Sequence, residues 1–179
     1  MLDHRRPGRE SPRSLTPANA SASHYWLMRR TLQSIPAPAW PKPLQLTTLS
    51  RENAASVHEL LKLCERDGGG PVSDFSSWWQ GFKQDPECDP ALCLIVVDHD
   101  GILAVAQGWT SAFIRYLAVH PRARRQGIGR LLLQQAFAVF AWRNEGWLDL
   151  NVMENNLPAR RLYEQAGMHY VRRSALSAD

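Results

Sequence analysis

The chain has 179 residues, with 21 Lys+Arg against 17 Asp+Glu, and 44% of it is apolar, an ordinary globular composition. No apolar run approaches the roughly 20 residues of a membrane-spanning helix. The basic excess is local: residues 1–43 hold seven Lys/Arg against two Asp/Glu and the rest 14 against 15, so charge gives no reason to read the whole chain as a nucleic-acid binder.

Residues 1–23 carry Pro7, Pro12 and Pro17 among arginines and small polar residues, too little apolar surface to order themselves. His24 to Leu32, HYWLMRRTL, reads as one or two turns of helix, and Ile35 to Pro43 as an extended, semi-rigid linker. The expected division is a disordered, basic, proline-rich tail and linker over 1–43 and a folded domain over 44–179. The tail reads as dispensable, with Met28 an alternative start; a basic tail for an acidic partner is its functional alternative, and salt-sensitive nucleic-acid binding by the tail is a further one.

Leu44 to Leu49 reads as a first strand, and Ser50 opens a helix to about Cys64. Gly68, Gly69 and Gly70 break it, and Asp74 to Phe82 forms a second short helix carrying Trp78 and Trp79. Neighbours on a helix face different sides, so at least one of these tryptophans belongs to the core. Ala91 to Val97 and Ile102 to Trp109 are strands joined by an Asp-Gly turn, a hairpin signal that leaves His99 at a solvent-facing tip. A strand Ile114 to Val119, a helix from Gly127 to about Trp142 and a strand Leu148 to Val152 follow. Asn155 or Asn156 caps a last helix that ends at Gly167, and His169 to Arg173 closes as a strand. This order predicts an α/β sandwich around a mixed sheet.

Cys64, Cys88 and Cys93 form no CxxC pair and have no histidine at ligand spacing, which points to reduced thiols in a cytoplasmic protein rather than to a metal site. No apolar signal-peptide core follows Met1.

Chemistry concentrates between Ile114 and Leu133, IRYLAVHPRARRQGIGRLLL. Pro121 stops the strand, and a tract with two glycines and several arginines enters a leucine-rich helix. A helix N-terminus offers unpaired N–H groups and the positive end of the dipole, and glycines let backbone approach an anion, so this is a pyrophosphate cradle in physical terms. A dinucleotide fingerprint needs a third glycine, and a nucleotide P-loop needs GK[ST] where Arg130 and Leu131 follow Gly129.

The pattern resembles the Q/R-x-x-G-x-G/A signature of the GNAT N-acetyltransferases, with Arg124 first and glycines at 127 and 129. Asn156, Ala159, Leu162, Tyr163, Glu164 and Gly167 resemble that family's second block, N-x-x-A-x-x-L-Y-E-x-x-G. The resemblance runs from about residue 44 to 173 and implies a three-layer α/β/α fold on a mixed, mostly antiparallel sheet. It also implies acetyl-CoA as acyl donor, a primary amine as acceptor, direct transfer in a ternary complex, no metal, and a monomer or homodimer without nucleic-acid or membrane partners.

Carried over by position, Arg124, Arg125, Gln126, Gly127, Ile128, Gly129 and Arg130 would hold the pyrophosphate, mostly through backbone N–H groups. The strand end Leu117, Ala118 and Val119 would pair with the pantetheine like an added strand, and Asn156 would bond it or hold the entry to the last helix. Tyr163 would sit by the sulfur as general acid, and a β-branched residue at Gly129 would fill the pyrophosphate's space. The Ser50 to Phe82 helix-loop-helix would border the acceptor cleft. Family base positions hold Ala112, Phe113, Ile114 and Asn151 here; Asp149, Glu154 and His120 are nearby, and proton removal through water is the expectation. The family's usual further C-terminal strand has only SALSAD to build it. A non-catalytic CoA-binding regulatory or interaction module is the alternative reading.

Overall fold

The computed structural model describes residues 24–176, arranged as seven strands and four helices. The strands are β1 (His24–Thr31), β2 (Gln45–Thr48), β3 (Cys88–Asp98), β4 (Gly101–Trp109), β5 (Phe113–Val119), β6 (Trp147–Met153) and β7 (His169–Ala175). The helices are α1 (Ala54–Glu65), α2 (Phe75–Gln84), α3 (Ile128–Trp142) and α4 (Leu157–Gln165). The sheet order is β2-β3-β4-β5-β6-β1-β7. β5 and β6 run parallel, joined by the α3 crossover that parallel neighbours require, and the other pairs are antiparallel.

Two apolar layers cover the sheet. Leu132, Leu133, Ala136, Phe137 and Phe140 of α3 pack on one face together with Tyr163 of α4. Val57, Leu60, Leu61, Trp78 and Phe82 of α1 and α2 pack on the other, against Ile95, Val105 and Ala118. The three-layer α/β/α arrangement is therefore as the sequence indicates. Trp78 is the core tryptophan of its pair and donates from Nε1 to the buried Gln107 Oε1 at 3.3 Å, whereas Trp79 stays half-buried. Asp74 caps α2 by accepting from the Ser77 N–H, but α1 starts only after a turn in which Ser50 and Asn53 exchange bonds.

The expected boundary at residue 43 is wrong for residues 24–43. His24–Thr31 is neither helix nor tail but a strand between β6 and β7, pairing along its length with both. Helical periodicity cannot be told from strand alternation in so short a run. The sheet decides the outcome: Met28 is fully buried, and Trp26 packs edge-on to Tyr170 of β7. No strand follows β7 among the described residues, and β1 brings the sheet to seven instead. Residues 1–23, the remainder of the expected tail, lie outside the described residues, as do 177–179.

Residues 32–44 must then travel from β1 to β2, five strand spacings or about 24 Å. Extended proline-rich backbone suits that reach. Ile35, Trp40 and Leu44 pack on the α3 side of the core, and Trp40 Nε1 donates to Gln135 of α3 at 3.0 Å. The linker is a strap across α3, held by apolar contact and one indole bond. No helix among the described residues is long and apolar enough to cross a membrane.

Candidate active site

The site grows out of a defect in the sheet. β5 and β6 pair only at Phe113 with Asp149 and Ile114 with Leu150. The next residue, Arg115, is extra: Gln107 of β4 faces Tyr116 and Gly108 faces Ile114, so β5 bulges there. A bulge bends its strand and increases its twist, which carries the rest of β5 away from β6. Gly108 allows the neighbouring close approach of α3, since a Cβ there would lie 2.9 Å from the Phe140 ring. Beyond the bulge the His120 N–H donates to Leu103 of β4 at 2.8 Å. By alternation the Leu117 and Val119 backbone groups face the opposite way, into the opening. The Val119 carbonyl accepts from Arg124 Nε at 3.1 Å; the Ala118 side chain is buried on the α1 face.

At the end of β5 a single 3-10 turn, Pro121–Ala123, is capped by His120, whose Nδ1 accepts from the Arg122 N–H at 3.2 Å. The chain then enters α3 through two left-handed residues, Arg125 (φ 60°) and Gly127 (φ 78°). No side chain caps α3, and its first helical bond runs from Leu131 N–H to Gly127 carbonyl. The N–H groups of Ile128, Gly129 and Arg130 precede that bond and have no partner within the helix. Gln126 folds back onto the Arg122 carbonyl, and the Ile128 side chain is core.

The two glycines differ. A Cβ on Gly127 would meet nothing within 4 Å, so this residue faces open space at the helix mouth. A Cβ on Gly129 would lie 3.2 Å from Val119 Cγ2 and 3.4 Å from Leu162 Cδ2. Gly129 is thus a point where α3, β5 and α4 pack closely, and a side chain added there would press on Val119 and Leu162.

The arginines also separate. Arg122 forms a two-bond pair with Asp98, and Arg124 pairs with Asp67 at 2.7 Å. Arg130 lines a cleft of about 260 Å³ with Arg30, Gln134, Phe137 and Gln165. Arg125 is exposed and, like Arg130, has no acidic partner among the described residues.

On the far side of the opening, Asn156 caps α4 by accepting from the Ala159 N–H at 3.3 Å, and its Nδ2 donates to the Gly68 carbonyl. The glycine-rich loop after α1 therefore reaches both rims, through Asp67 to Arg124 and Gly68 to Asn156. The sequence marked Gly68 to Gly70 only as a helix break; three residues without side chains are also what lets a loop lie flat on backbone. Its neighbour Cys64 lies 3.8 Å from Arg124, and burial pushes its thiol up from the usual range.

Tyr163 is buried on the α3 side, and its phenol has no hydrogen-bond partner among the described residues. Burial pushes it up to about 12, so it stays protonated at any working pH. The polar groups raised as bases are all engaged. Asp149 is bound by Arg29 through two 2.7 Å bonds, Glu154 by Arg173 through bonds of 2.8 and 2.9 Å, and His120 by its capping bond. Arg173 also holds the Glu154 carboxyl below the usual carboxylate range. A splayed strand pair lies next to an uncapped helix mouth with an open glycine, and a neutral phenol is buried in the α3-side core.

A profile described as the acetyltransferase (GNAT) family matches residues 54–168, which is more than half of the chain. The chain belongs to the GNAT acetyltransferase family. A GCN5-related N-acetyltransferase from Sphaerobacter thermophilus is similar at 31% identity with a TM-score of 0.68, covering 84% of this chain and 49% of that one. The GNAT member described here thus spans about half the length of that relative. The ribosomal-protein-S18-alanine N-acetyltransferase from Escherichia coli shares the fold at 20% identity and a TM-score of 0.57, over 72% of this chain and 79% of that one. So does a predicted acetyltransferase from Clostridium acetobutylicum solved with acetyl-CoA, at 16% identity and 0.59, over 76% and 96%. No curated protein matches the chain.

Proposed function

We propose that this GNAT protein is an N-acetyltransferase that moves the acetyl group of acetyl-CoA directly onto a primary amine in a ternary complex. The observation that carries the reading is the opening itself: β5 leaves β6 after Ile114, next to the uncapped α3 mouth, and Tyr163 of α4 is buried in the core on the α3 side. The residues fit an extended thioester whose phosphates end at a helix N-terminus. The free Leu117 backbone and the Val119 N–H suit a strand-like amide chain. The N–H groups of Ile128, Gly129 and Arg130, beside the open face of Gly127, suit pyrophosphate, with Arg125 and Arg130 as unpaired charges. Asn156 is committed to its cap and to Gly68, so it acts by shaping the rim.

In the transfer a C–N bond forms, the C–S bond breaks, the amine loses a proton and the sulfur gains one. Acetyl-CoA supplies the activated acyl carbon. Tyr163 holds a proton at its phenol oxygen and donates it to the departing sulfur. Burial pushes the phenol up to about 12, above the ordinary range of a thiol, so that donation is uphill. A positioned neutral donor still lowers the barrier, because hydrogen bonding to the growing negative charge precedes transfer. The amine enters already neutral or loses its proton to water, since Asp149, Glu154 and His120 are held elsewhere.

That engagement of every nearby base also favours a second reading, a CoA-binding module without catalysis. A panel of amines with acetyl-CoA separates the two. Equal amounts of free thiol and acetylated amine support transfer, and tight acetyl-CoA binding with no product from any amine supports the module.

A further inference from the structure

The bulge that opens the site also aims a charge into it. Successive strand residues alternate faces, but the extra residue of a bulge breaks that alternation. Ile114 packs in the α3-side core. Both residues that follow turn to the other side: a Cβ on Gly70 would lie 4.0 Å from Arg115 Nη1, and the Tyr116 hydroxyl donates to the Pro71 carbonyl at 2.9 Å. Arg115 thus sits beneath the α1–α2 loop, immediately past the last paired residue of β5, where the opening begins.

Its guanidinium is held but not neutralised. It lies 4.7 Å from the Tyr116 ring centre and 5.8 Å from that of Trp109, which itself stacks on Phe113. Aromatic faces orient a cation and leave the edges of its donor fork open. Arg115 is exposed and has no acidic partner among the described residues. Asp149 is paired with Arg29, Asp67 with Arg124 and Glu65 with Lys62, and Glu87 accepts from the Ser111 N–H at 3.0 Å. Arg122, Arg124 and Arg173 each have an acid to bind, whereas Arg115 presents a free fork at the head of the cleft.

From this placement we infer that the acceptor carries an anionic group, a carboxylate or a phosphonate-type anion, close to the amine that is acetylated, and that Arg115 binds it. The inference rests on the acetyltransferase reading above and narrows its substrate class. The guanidinium fork matches such an anion with two parallel N–H bonds and would hold the amine at the start of the β5–β6 opening, on the face opposite α3. Arg115 is in this sense a specificity residue and takes no part in proton transfer.

The test compares paired acceptors with acetyl-CoA: phenylalanine against 2-phenylethylamine, and 2-aminoethylphosphonate against ethylamine. The members of a pair differ in the fraction of neutral amine, so the readout is how their kcat/KM ratio changes on Arg115→Gln, not the ratio alone. A charge-assisted bond predicts that the substitution lowers the ratio roughly 10–100-fold, mostly through KM, with Arg115→Lys between and acetyl-CoA affinity unchanged. The pair that responds identifies the anion as carboxylate or phosphonate. Ratios that stay the same in both pairs, with transfer intact, overturn the role of Arg115 and leave the acetyltransferase reading standing. Absence of transfer to all four amines, and to a wider amine panel, overturns both.

Discussion

Arg29 and Asp149 face each other across the β1–β6 ladder and lock together through Nε–Oδ1 and Nη2–Oδ2 bonds of 2.7 Å each. Arg29 also lies 4.4 Å from the centre of the Trp147 ring, so its side chain is fixed on two sides. One residue comes from the stretch that composition marks as tail, the other from the strand beside the site. Asp149 is buried, and removing Arg29 would strand its charge in the sheet. Arg29→Ala should therefore cost about 1–3 kcal/mol, between the values for exposed and buried pairs, measured by urea denaturation. The double variant with Asp149→Ala should recover part of that loss. Asp149→Asn should leave the ascending limb of the pH–rate profile where it is, because the carboxylate serves the sheet and not the amine.

The N-terminal strand makes the second prediction. Deleting residues 1–43 removes β1 from between β6 and β7 and exposes the backbone edges of both. The truncated chain should lose its cooperative thermal transition. A point variant tests the same claim more gently: Met28→Ala, at a fully buried position, should cost about 2–5 kcal/mol. An unchanged Tm in either case would mean that β1 is not part of the stable sheet.

The two glycines of the α3 entry should fail in different ways. Gly129→Val forces a branched side chain against Val119 and Leu162 and should lower Tm. Gly127→Val meets no atom, but asks a β-branched residue to hold a left-handed backbone, at about 1–2 kcal/mol, and places its methyls where phosphate would dock. Gly127→Val should thus weaken acetyl-CoA binding more than Gly129→Val does, by calorimetry on folded protein.

Acid stability carries a further sign. Arg173 depresses the folded pKa of Glu154 below its ordinary 4.5, so the unfolded chain binds a proton there more readily than the folded one. That contribution is full above about pH 4.5 and disappears as pH falls through the lower, folded value. Glu154→Gln should accordingly lower Tm at pH 7 slightly and converge with the parent protein as the pH drops below 4. Arg173 is exposed and Glu154 only half-buried, so the difference at pH 7 should be small and should shrink in high salt.

The sequence was most legible where local chemistry and long-range packing agree. Asp98-His99-Asp100-Gly101 carries its own turn chemistry and forms the β3–β4 hairpin, and the α3 entry uses a glycine at its left-handed position 127. His24–Thr31 was illegible because its state depends on partners some 120 residues away: HYWLMRRT has no turn or cap of its own, and only the free edges of β6 and β7 make it a strand. The packing at Gly129 was out of reach for a related reason, since a signature glycine records that space is needed but not that Val119 and Leu162 border it. The Arg29–Asp149 pair and the Asp67 and Gly68 contacts were likewise invisible, because each joins residues that only the folded sheet brings together.

The central claim is that a buried, neutral Tyr163 protonates the sulfur leaving an acetyl group in the β5–β6 opening. Single-turnover acetyl transfer by Tyr163→Phe, alongside calorimetry of acetyl-CoA binding, tests it most directly. The ring remains in place among Leu162, Ala159 and the α3 core, so fold and acetyl-CoA affinity should be preserved. The rate of transfer should fall by roughly 10²–10⁴. Transfer at the parental rate, with acetyl-CoA bound equally well, would contradict the account and assign the sulfur's proton to solvent.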